Sequence, residues 1–410
     1  MLERIIQMAQ RLPGWWRVRS QLLPHAAALN RKRLGGVTFV GITGSAGKTT
    51  AKNLARAVLS TNAKARSSSV GAANTFESVM STVVATKPSD DFCVIEFSAD
   101  PRGPVDPSLA LDHLLATVRP KIGVVTSIGT DHLKTFHSVE AIAAQKSKVI
   151  RCLPADGVAV LNADDPLVIA MADRSPCRVI TYGAAESAMV RAQNIRSAWP
   201  ERLTFTAVYQ SQSVEVRSQL CGAHWISAIL AALGVGIAAG IPLEKAARAV
   251  ETVEPYPGRM YPLAGKDGIT FIVDDWRSAV WTMPSVFEFV KAAQGKRKVI
   301  IIGTLSDYGG TAATVYKRTA VSALEAADQV IFVGPMASHA LRAKGPENAG
   351  RIHAFATIKA AAEFLPSLLQ KGDLVVLKGT ANADHLSRLA HNWIEPISCW
   401  SMACRKNTPC

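Results

Sequence analysis

The sequence predicts an α/β protein of two domains, on three observations. Short apolar runs alternate with helix-length segments from Val37 onward, several runs end in glycine-containing loops, and two prolines with a glycine interrupt the pattern at Glu254-Pro-Tyr-Pro-Gly258. The runs are Val37–Ile42, Phe92–Phe97, Ile122–Ser127, Val158–Leu161, Ile269–Val273, Val299–Ile302, Val330–Val333 and Leu374–Leu377. Each is near-continuously apolar, as strands covered on both faces are, and a helix-length spacer between such strands is the βαβ signature of a mostly parallel sheet. The segment beyond Gly258 holds four of these runs, enough for a separate α/β domain of about 140 residues.

Composition supports this reading and narrows the class. Of 410 residues 48% are hydrophobic and 19% charged, which excludes a disordered or collagen-like chain. Forty-six Lys and Arg against 32 Asp and Glu give a net charge of +14, an excess suited to an anionic ligand. Seven cysteines are too few and too scattered for a disulfide scaffold. The N-terminus carries Glu3 and Arg4 early and has no uninterrupted apolar stretch, so it reads poorly as a signal peptide. Trp225 to Leu243 is uncharged but rich in Ala and Gly, and is expected as a buried helix, not a membrane span. A cytoplasmic protein is therefore expected.

The first thirty-odd residues, with Trp15, Trp16, Arg17, Arg19, Arg31, Lys32 and Arg33, read as a basic helical arm. Such an arm either packs on the body or contacts an anionic surface. The organisation expected is an arm over 1–36, a central domain over 37–254, a C-terminal domain over 255–396 and a cysteine-containing tail over 397–410.

The most specific local signal is the run Val37-Thr-Phe-Val-Gly-Ile-Thr-Gly-Ser-Ala-Gly-Lys-Thr-Thr50. An apolar strand enters Gly44, Ser45, Ala46, Gly47, Lys48, Thr49 and Thr50, and a helix pattern follows. Glycines let backbone N–H groups wrap a phosphate and the helix N-terminus adds its dipole. Lys48 would reach the β- and γ-phosphates of ATP and the Thr49 hydroxyl would hold Mg²⁺. Ile42 stands where the strict P-loop spelling has glycine. Downstream, Glu96 ends a buried run, where a second Mg²⁺ ligand would sit. His132 follows another strand, and Lys146 lies fourteen residues further on, before Leu161-Asn162-Ala-Asp-Asp165.

Taken together these features resemble the Mur ligase superfamily, the ATP-dependent amide ligases of peptidoglycan synthesis and their folylpolyglutamate and cyanophycin synthetase relatives. Within it the pattern is most similar to the type that adds D-alanyl-D-alanine to the UDP-muramoyl tripeptide. The similarity runs through roughly residues 37 to 390 and takes in the Thr43-Gly-Ser-Ala-Gly-Lys-Thr-Thr50 loop, Asn74, Glu96, Ile128-Gly-Thr-Asp-His132-Leu, Lys146, Gly222-Ala-His224, Pro257-Gly-Arg259-Met, Asp274-Asp275 and Lys378-Gly379-Thr380. The resemblance implies a P-loop-containing central parallel-sheet domain followed by a smaller Rossmann-like α/β domain. It implies γ-phosphate transfer from ATP to a substrate carboxylate and attack of an amine on the acyl phosphate. Lys48 and Thr49 would hold ATP and the first Mg²⁺, with Glu96 sharing the metal shell. His132 and a carbamylated Lys146 would serve a second Mg²⁺, because a carbamate offers oxygens where an ammonium repels the metal. Asn74, His224, Arg259, Asp274 and Asp275 would complete the nucleotide site, assembled on domain closure.

Three departures qualify what the resemblance implies. Only 36 residues precede the first strand where the muramoyl ligases carry a UDP-substrate domain, so a non-standard acidic or peptidic substrate is expected, or a partner protein supplying that domain. The family's Asp-Asp-x-Tyr-Asn-Ala-Asn-Pro segment reads Asp274-Asp275-Trp276-Arg277-Ser278-Ala279-Val280-Trp281, and its His-Asn-x-x-Asn reads His224-Trp225-Ile226-Ser227-Ala228. Either the adenine pocket has changed or an acceptor pocket is rebuilt around Trp276, Arg277 and Trp281. Finally, Cys399, Cys404 and Cys410 do not match the common zinc spacing; they form a reduced tail, or three thiolates of a zinc site. A ligase joining an acid to an amino acid or amine is the leading expectation. A catalytically inactive binding protein of the same fold is the alternative. Nucleic acid is not an expected partner, since no aromatic–basic RNA motif or zinc-finger spacing supports it.

Overall fold

A computed structural model describes residues 15–68, 74–101, 106–295 and 297–401. The chain divides into two compact units: Met1–Gln193 with Ala207–Val214 and Ser227–Val250, and Asn194–Thr206 with Glu215–Ile226 and Glu251–Cys410.

Among the described residues the larger sheet has nine strands in the order β2-β3-β1-β4-β5-β6-β7-β8-β9. They are β1 (Thr38–Thr43), β2 (Ala65–Ser67), β3 (Phe92–Glu96), β4 (Ile122–Val125), β5 (Val158–Asn162), β6 (Arg178–Gly183), β7 (Val190–Arg196), β8 (Thr204–Tyr209) and β9 (Gln212–Arg217). From β2 to β7 the pairings run parallel. At the centre β1 lies between β3 and β4, with Ile42 opposite Glu96 and Val124. That register delivers the ends of three strands to one edge, where their loops meet. Helices Phe76–Ala85 and Pro107–Val118 pack over one face in a cluster that includes Phe39, Phe76, Ile95 and Leu114. Three helices of this unit start where a short polar side chain satisfies a backbone donor that the helix leaves open. Thr75 accepts from Ser78 N, Ser138 from Ala141 N, and Asp165 from Leu167 N and Val168 N.

The mostly parallel sheet expected from the sequence is a mixed one, with its antiparallel part at one edge. Strands β8 and β9 are joined by two residues, Gln210 and Ser211, a connection that only an antiparallel pair allows. Their side chains alternate between covered and open instead of forming continuous apolar runs. The same holds in the smaller sheet, ordered β10-β11-β15-β12-β13-β14. Its strands are β10 (Tyr261–Ala264), β11 (Thr270–Asp274), β12 (Lys298–Ile302), β13 (Gln329–Val333), β14 (Ile352–Phe355) and β15 (Leu374–Lys378). All pair in parallel except the edge strand β10, which runs antiparallel to β11 and contains Pro262, a residue tolerated at an edge.

The basic arm forms a helix, Trp15–Lys32, which Ala27, Asn30 and Arg31 fasten to the first unit while Leu22 and Leu29 stay exposed. Ala27 and Leu34 are wholly buried in that unit's core. Asn30 Nδ2 donates to Val83 O (2.9 Å) and Thr86 O (3.0 Å). Arg31 Nε donates to Val118 O (2.8 Å), and its guanidinium lies 4.5 Å from the centre of the Phe39 ring. The uncharged stretch after Trp225 is the helix Ile226–Ala238, buried from Ala228 to Gly236. Gly234 is needed there because a Cβ would come within 2.7 Å of Val160 Cγ1 on β5. Among the described residues no helix is long and apolar enough to cross a membrane.

Candidate active site

The loop after β1 is shaped by what it touches at the end of β4. Gly44 has φ +144°, and a Cβ there would lie 1.9 Å from Thr126 Oγ1, so only glycine passes. Ser45 N donates to Ser127 O (2.8 Å), Ala46 N to Ser127 Oγ (3.0 Å), and Thr126 Oγ1 to Ala46 O. These contacts pin the loop's first half and leave the turn at Gly47 to start the helix Lys48–Leu59. The N–H groups of a helix's first turn have no intrahelical acceptor and point toward its entry, which suits an anion. Lys48 folds back so that Nζ donates to Gly44 O (2.7 Å). Thr50, the last residue of the loop, is buried.

Two carboxylates face this loop, Glu96 at the end of β3 and Asp131 in the segment that follows β4. Glu96, 3% exposed, accepts from Thr49 Oγ1 at Oε2 (2.9 Å) and from Asn74 Nδ2 at Oε1 (3.2 Å). Asp131, 1% exposed, accepts from Ser45 Oγ and from Lys146 Nζ (3.1 Å). Lys146 is wholly buried on the helix Val139–Arg151, and its Nζ also donates to Gly44 O (3.0 Å). One loop carbonyl thus accepts from both lysines, which joins the two clusters into a single site. His132, in left-handed backbone conformation (φ 59°), places Nε2 3.3 Å from Ser98 Oγ and Nδ1 3.8 Å from an Asp100 oxygen. Burial works against charge on Asp131, but Lys146, Lys48, the Ser45 hydroxyl and His132 outweigh it and hold its carboxyl below the usual carboxylate range.

The second unit gathers its own set at the ends of β11 and β15. Asp274 Oδ2 accepts from Lys378 Nζ (2.7 Å) in a partly buried pair. Asp275 is turned inward and accepts from Ser387 N (2.8 Å), tying the helix Ser387–Ile394 to β11; burial pushes its carboxyl up. The Arg259 guanidinium lies 5.5 Å from the centre of the Trp276 ring. Arg277 grips Asp307 with two bonds of 2.9 and 3.0 Å, and a backbone bridge joins Ala279 to Ser306. Burial pushes the His224 imidazole down to about 4, with Asp274 opposing and Lys378 assisting, so it is neutral at neutral pH.

Comparison with known proteins places this geometry. The family model for the Mur ligase middle domain matches residues 42–236, and that for the Mur ligase glutamate ligase domain matches residues 258–381. The chain belongs to the Mur ligase superfamily. It is an ATP-dependent ligase that forms carbon–nitrogen bonds, through the acyl phosphate general to these enzymes. It is 28% identical over 393 residues to the UDP-N-acetylmuramoyl-tripeptide–D-alanyl-D-alanine ligase of Mycobacterium tuberculosis, covering 90% of this chain and 75% of the relative. In fold it is similar to MurF from Acinetobacter baumannii (TM-score 0.80, 23% identity, 92% of this chain and 80% of the other). It is also similar in fold to the MurF ligase from Thermotoga maritima in complex with ADP (TM-score 0.78, 19% identity, 91% and 84%).

For this Mur ligase the oxygen donors suit magnesium, which takes one or two carboxylates and keeps waters and phosphate oxygens for the rest. Glu96 and the Thr49 hydroxyl provide such oxygens side by side; the Lys146 amine, as it stands, does not. Among the described residues no group of three or more His, Cys, Asp or Glu could hold a metal. Cys399 is exposed, while Cys404 and Cys410 lie outside the described residues. Asp131 and Lys52 are functional candidates that sequence reasoning missed. Asp131 stands directly before His132 in the Asp-His pair, but nothing in the chain order announces its partners, Ser45 and Lys146. Lys52 reads as one more helix lysine until its burial is seen.

Proposed function

We propose that this Mur ligase joins the carboxylate of an acidic or peptidic substrate to the amine of an amino acid or peptide, with the loop Gly44–Thr50 holding the phosphates of ATP. The observation that carries the reading is what meets at one loop: the glycine turn that opens the helix Lys48–Leu59, the Lys48 and Lys146 ammonium groups that share Gly44 O, and the Glu96 carboxylate beside the Thr49 hydroxyl. A helix N-terminus with a lysine at its turn suits a phosphate, and a carboxylate next to a hydroxyl suits the Mg²⁺ that accompanies it.

The residues divide the work. Lys48 and the first turn of its helix neutralise the transferred phosphate, the kind of preorganised electrostatics on which this chemistry depends. Thr49 and Glu96 would hold Mg²⁺, which would supply charge neutralisation when bound. Asn74 fixes the Glu96 carboxylate from its other oxygen. His132 is oriented by Ser98 toward the same space. Carbamylation would convert Lys146 from cation to oxygen donor. Asp131, 3.1 Å away, would then oppose it, so the modified form requires a cation beside both. In the second unit Arg259, His224 and the Asp274–Lys378 pair form the set for nucleotide or acceptor. The loop Trp276–Trp281, braced by Arg277 and Asp307, replaces the family's asparagines. That rebuilt loop supports a substrate pair other than UDP-muramoyl tripeptide with D-alanyl-D-alanine.

The test is a panel of acids and amines, including that UDP-muramoyl pair, incubated with ATP and Mg²⁺ and read by mass spectrometry. The expected result is ADP, phosphate and a condensation product lighter by one water, from a pair without the UDP-sugar. Turnover of the UDP-muramoyl pair alone would overturn the substrate assignment.

A further inference from the structure

Lys52 has no role in the functions assigned above, yet it is one of the largest fully buried side chains. It sits one helical turn after Lys48, on the face that carries Thr49 toward β3. Its Nζ donates to Ser68 O (3.1 Å) and lies 3.9 Å from Glu96 Oε2, the same oxygen that accepts from Thr49. Glu96 is therefore surrounded by a hydroxyl, an amide and an ammonium before any ligand arrives. A buried carboxylate already matched by a buried ammonium gains little from a second cation, and a divalent ion entering beside Lys52 meets like charge at short range. The balance changes once nucleotide phosphates bring in their own negative charge.

We infer that Lys52 is a positioning residue that holds Glu96 against Thr49 and makes the entry of a divalent cation depend on bound nucleotide. This rests on the reading of Thr49 and Glu96 as the metal's oxygens. Lys52 touches no reacting atom; it acts through the carboxylate it neutralises. The order of binding follows: nucleotide first or together with its metal, never metal alone at useful affinity.

The test measures Mn²⁺ binding by electron paramagnetic resonance, with and without a non-hydrolysable ATP analogue, in the full chain. Wild type should bind Mn²⁺ weakly alone and at least tenfold more tightly with the analogue. Lys52→Met should bind Mn²⁺ alone at least tenfold more tightly than wild type, flattening the dependence on nucleotide. Lys52→Arg, which keeps the charge, should behave as wild type. Lys52→Gln serves as a second uncharged variant should the methionine variant fail to fold. Uncharged variants that bind Mn²⁺ alone within twofold of wild type would overturn the inference. A Glu96→Gln variant that kept full Mn²⁺ affinity with the analogue would instead remove the metal reading beneath it, so the two failures are distinguishable.

Discussion

Asp131 and Lys146 face each other at 3.1 Å with neither side chain exposed to water. Removing one member of such a pair leaves the other charged and buried, at a cost of about 3–5 kcal/mol. Asp131→Asn should therefore destabilise the protein at neutral pH by about that amount. The pH dependence has a definite sign. The folded carboxyl titrates below its ordinary value of 3.8, so the stability it contributes is present above that value. It is lost as pH falls from about 4 through the lower folded value. Burial pushes the carboxyls of Asp275 and Asp384 up, so their effect has the opposite sign and is common to both proteins. Urea unfolding at pH 5 and pH 3 should show wild type losing more stability between the two than Asp131→Asn. Equal losses would mean the pair does not hold the carboxyl down. At this scale the residue types of the site were legible in the chain: a lysine and threonine after glycines, a glutamate closing a strand, a histidine and a lysine beyond. Their pairing was not. Gly44 O receives two lysines that stand 98 positions apart, and no spacing rule connects them.

The helix Trp15–Lys32 illustrates the next scale. Asn30 closes the carbonyls at the end of the helix Phe76–Ala85, and Arg31 does so for Pro107–Val118. Helix ends leave such carbonyls without intrahelical partners, and a buried one without a donor costs about 1–3 kcal/mol. Asn30→Ala should lower stability by that amount in denaturant while leaving the apparent affinity for ATP unchanged, since no residue of the phosphate loop touches Asn30. An altered KM for ATP with unchanged stability would contradict the assignment. The element scale also shows where sequence reasoning works. All eight apolar runs coincide with strands β1, β3, β4, β5, β11, β12, β13 and β15. These are inner strands whose two faces are both covered, so every residue reports burial. Strands β2, β6 to β10 and β14 went unrecognised. They are short, edge-placed or half-solvated, and Arg178, Gln193, Glu215 and Pro262 interrupt the apolar signal. The sequence leaves the destination of the basic arm open; Ala27, Asn30 and Arg31 fasten its described C-terminal part to the first unit, and residues 1–14 lie outside the described residues.

For the whole molecule, the +14 charge and the buried site answer different questions. The net charge favours encounter with anionic substrates and does not choose among them. On the proposed reading the choice of substrate falls to the second unit, where Trp276, Arg277 and Trp281 stand in the family's polar segment and Arg277 is committed to Asp307. Phosphate transfer falls to the first unit, where Lys48 begins the helix at the mouth of the loop and turns its ammonium back over Gly44. The central claim is that this loop binds ATP for phosphate transfer to a carboxylate. The most direct measurement is ATP-dependent phosphate release with a turned-over substrate pair, in wild type and Lys48→Ala, with folding checked by circular dichroism and thermal unfolding. The account predicts a loss of at least about a hundredfold, the scale of removing one preorganised charge from a transition state, with the fold intact. A folded Lys48→Ala protein that released phosphate and formed product at the wild-type rate would contradict it.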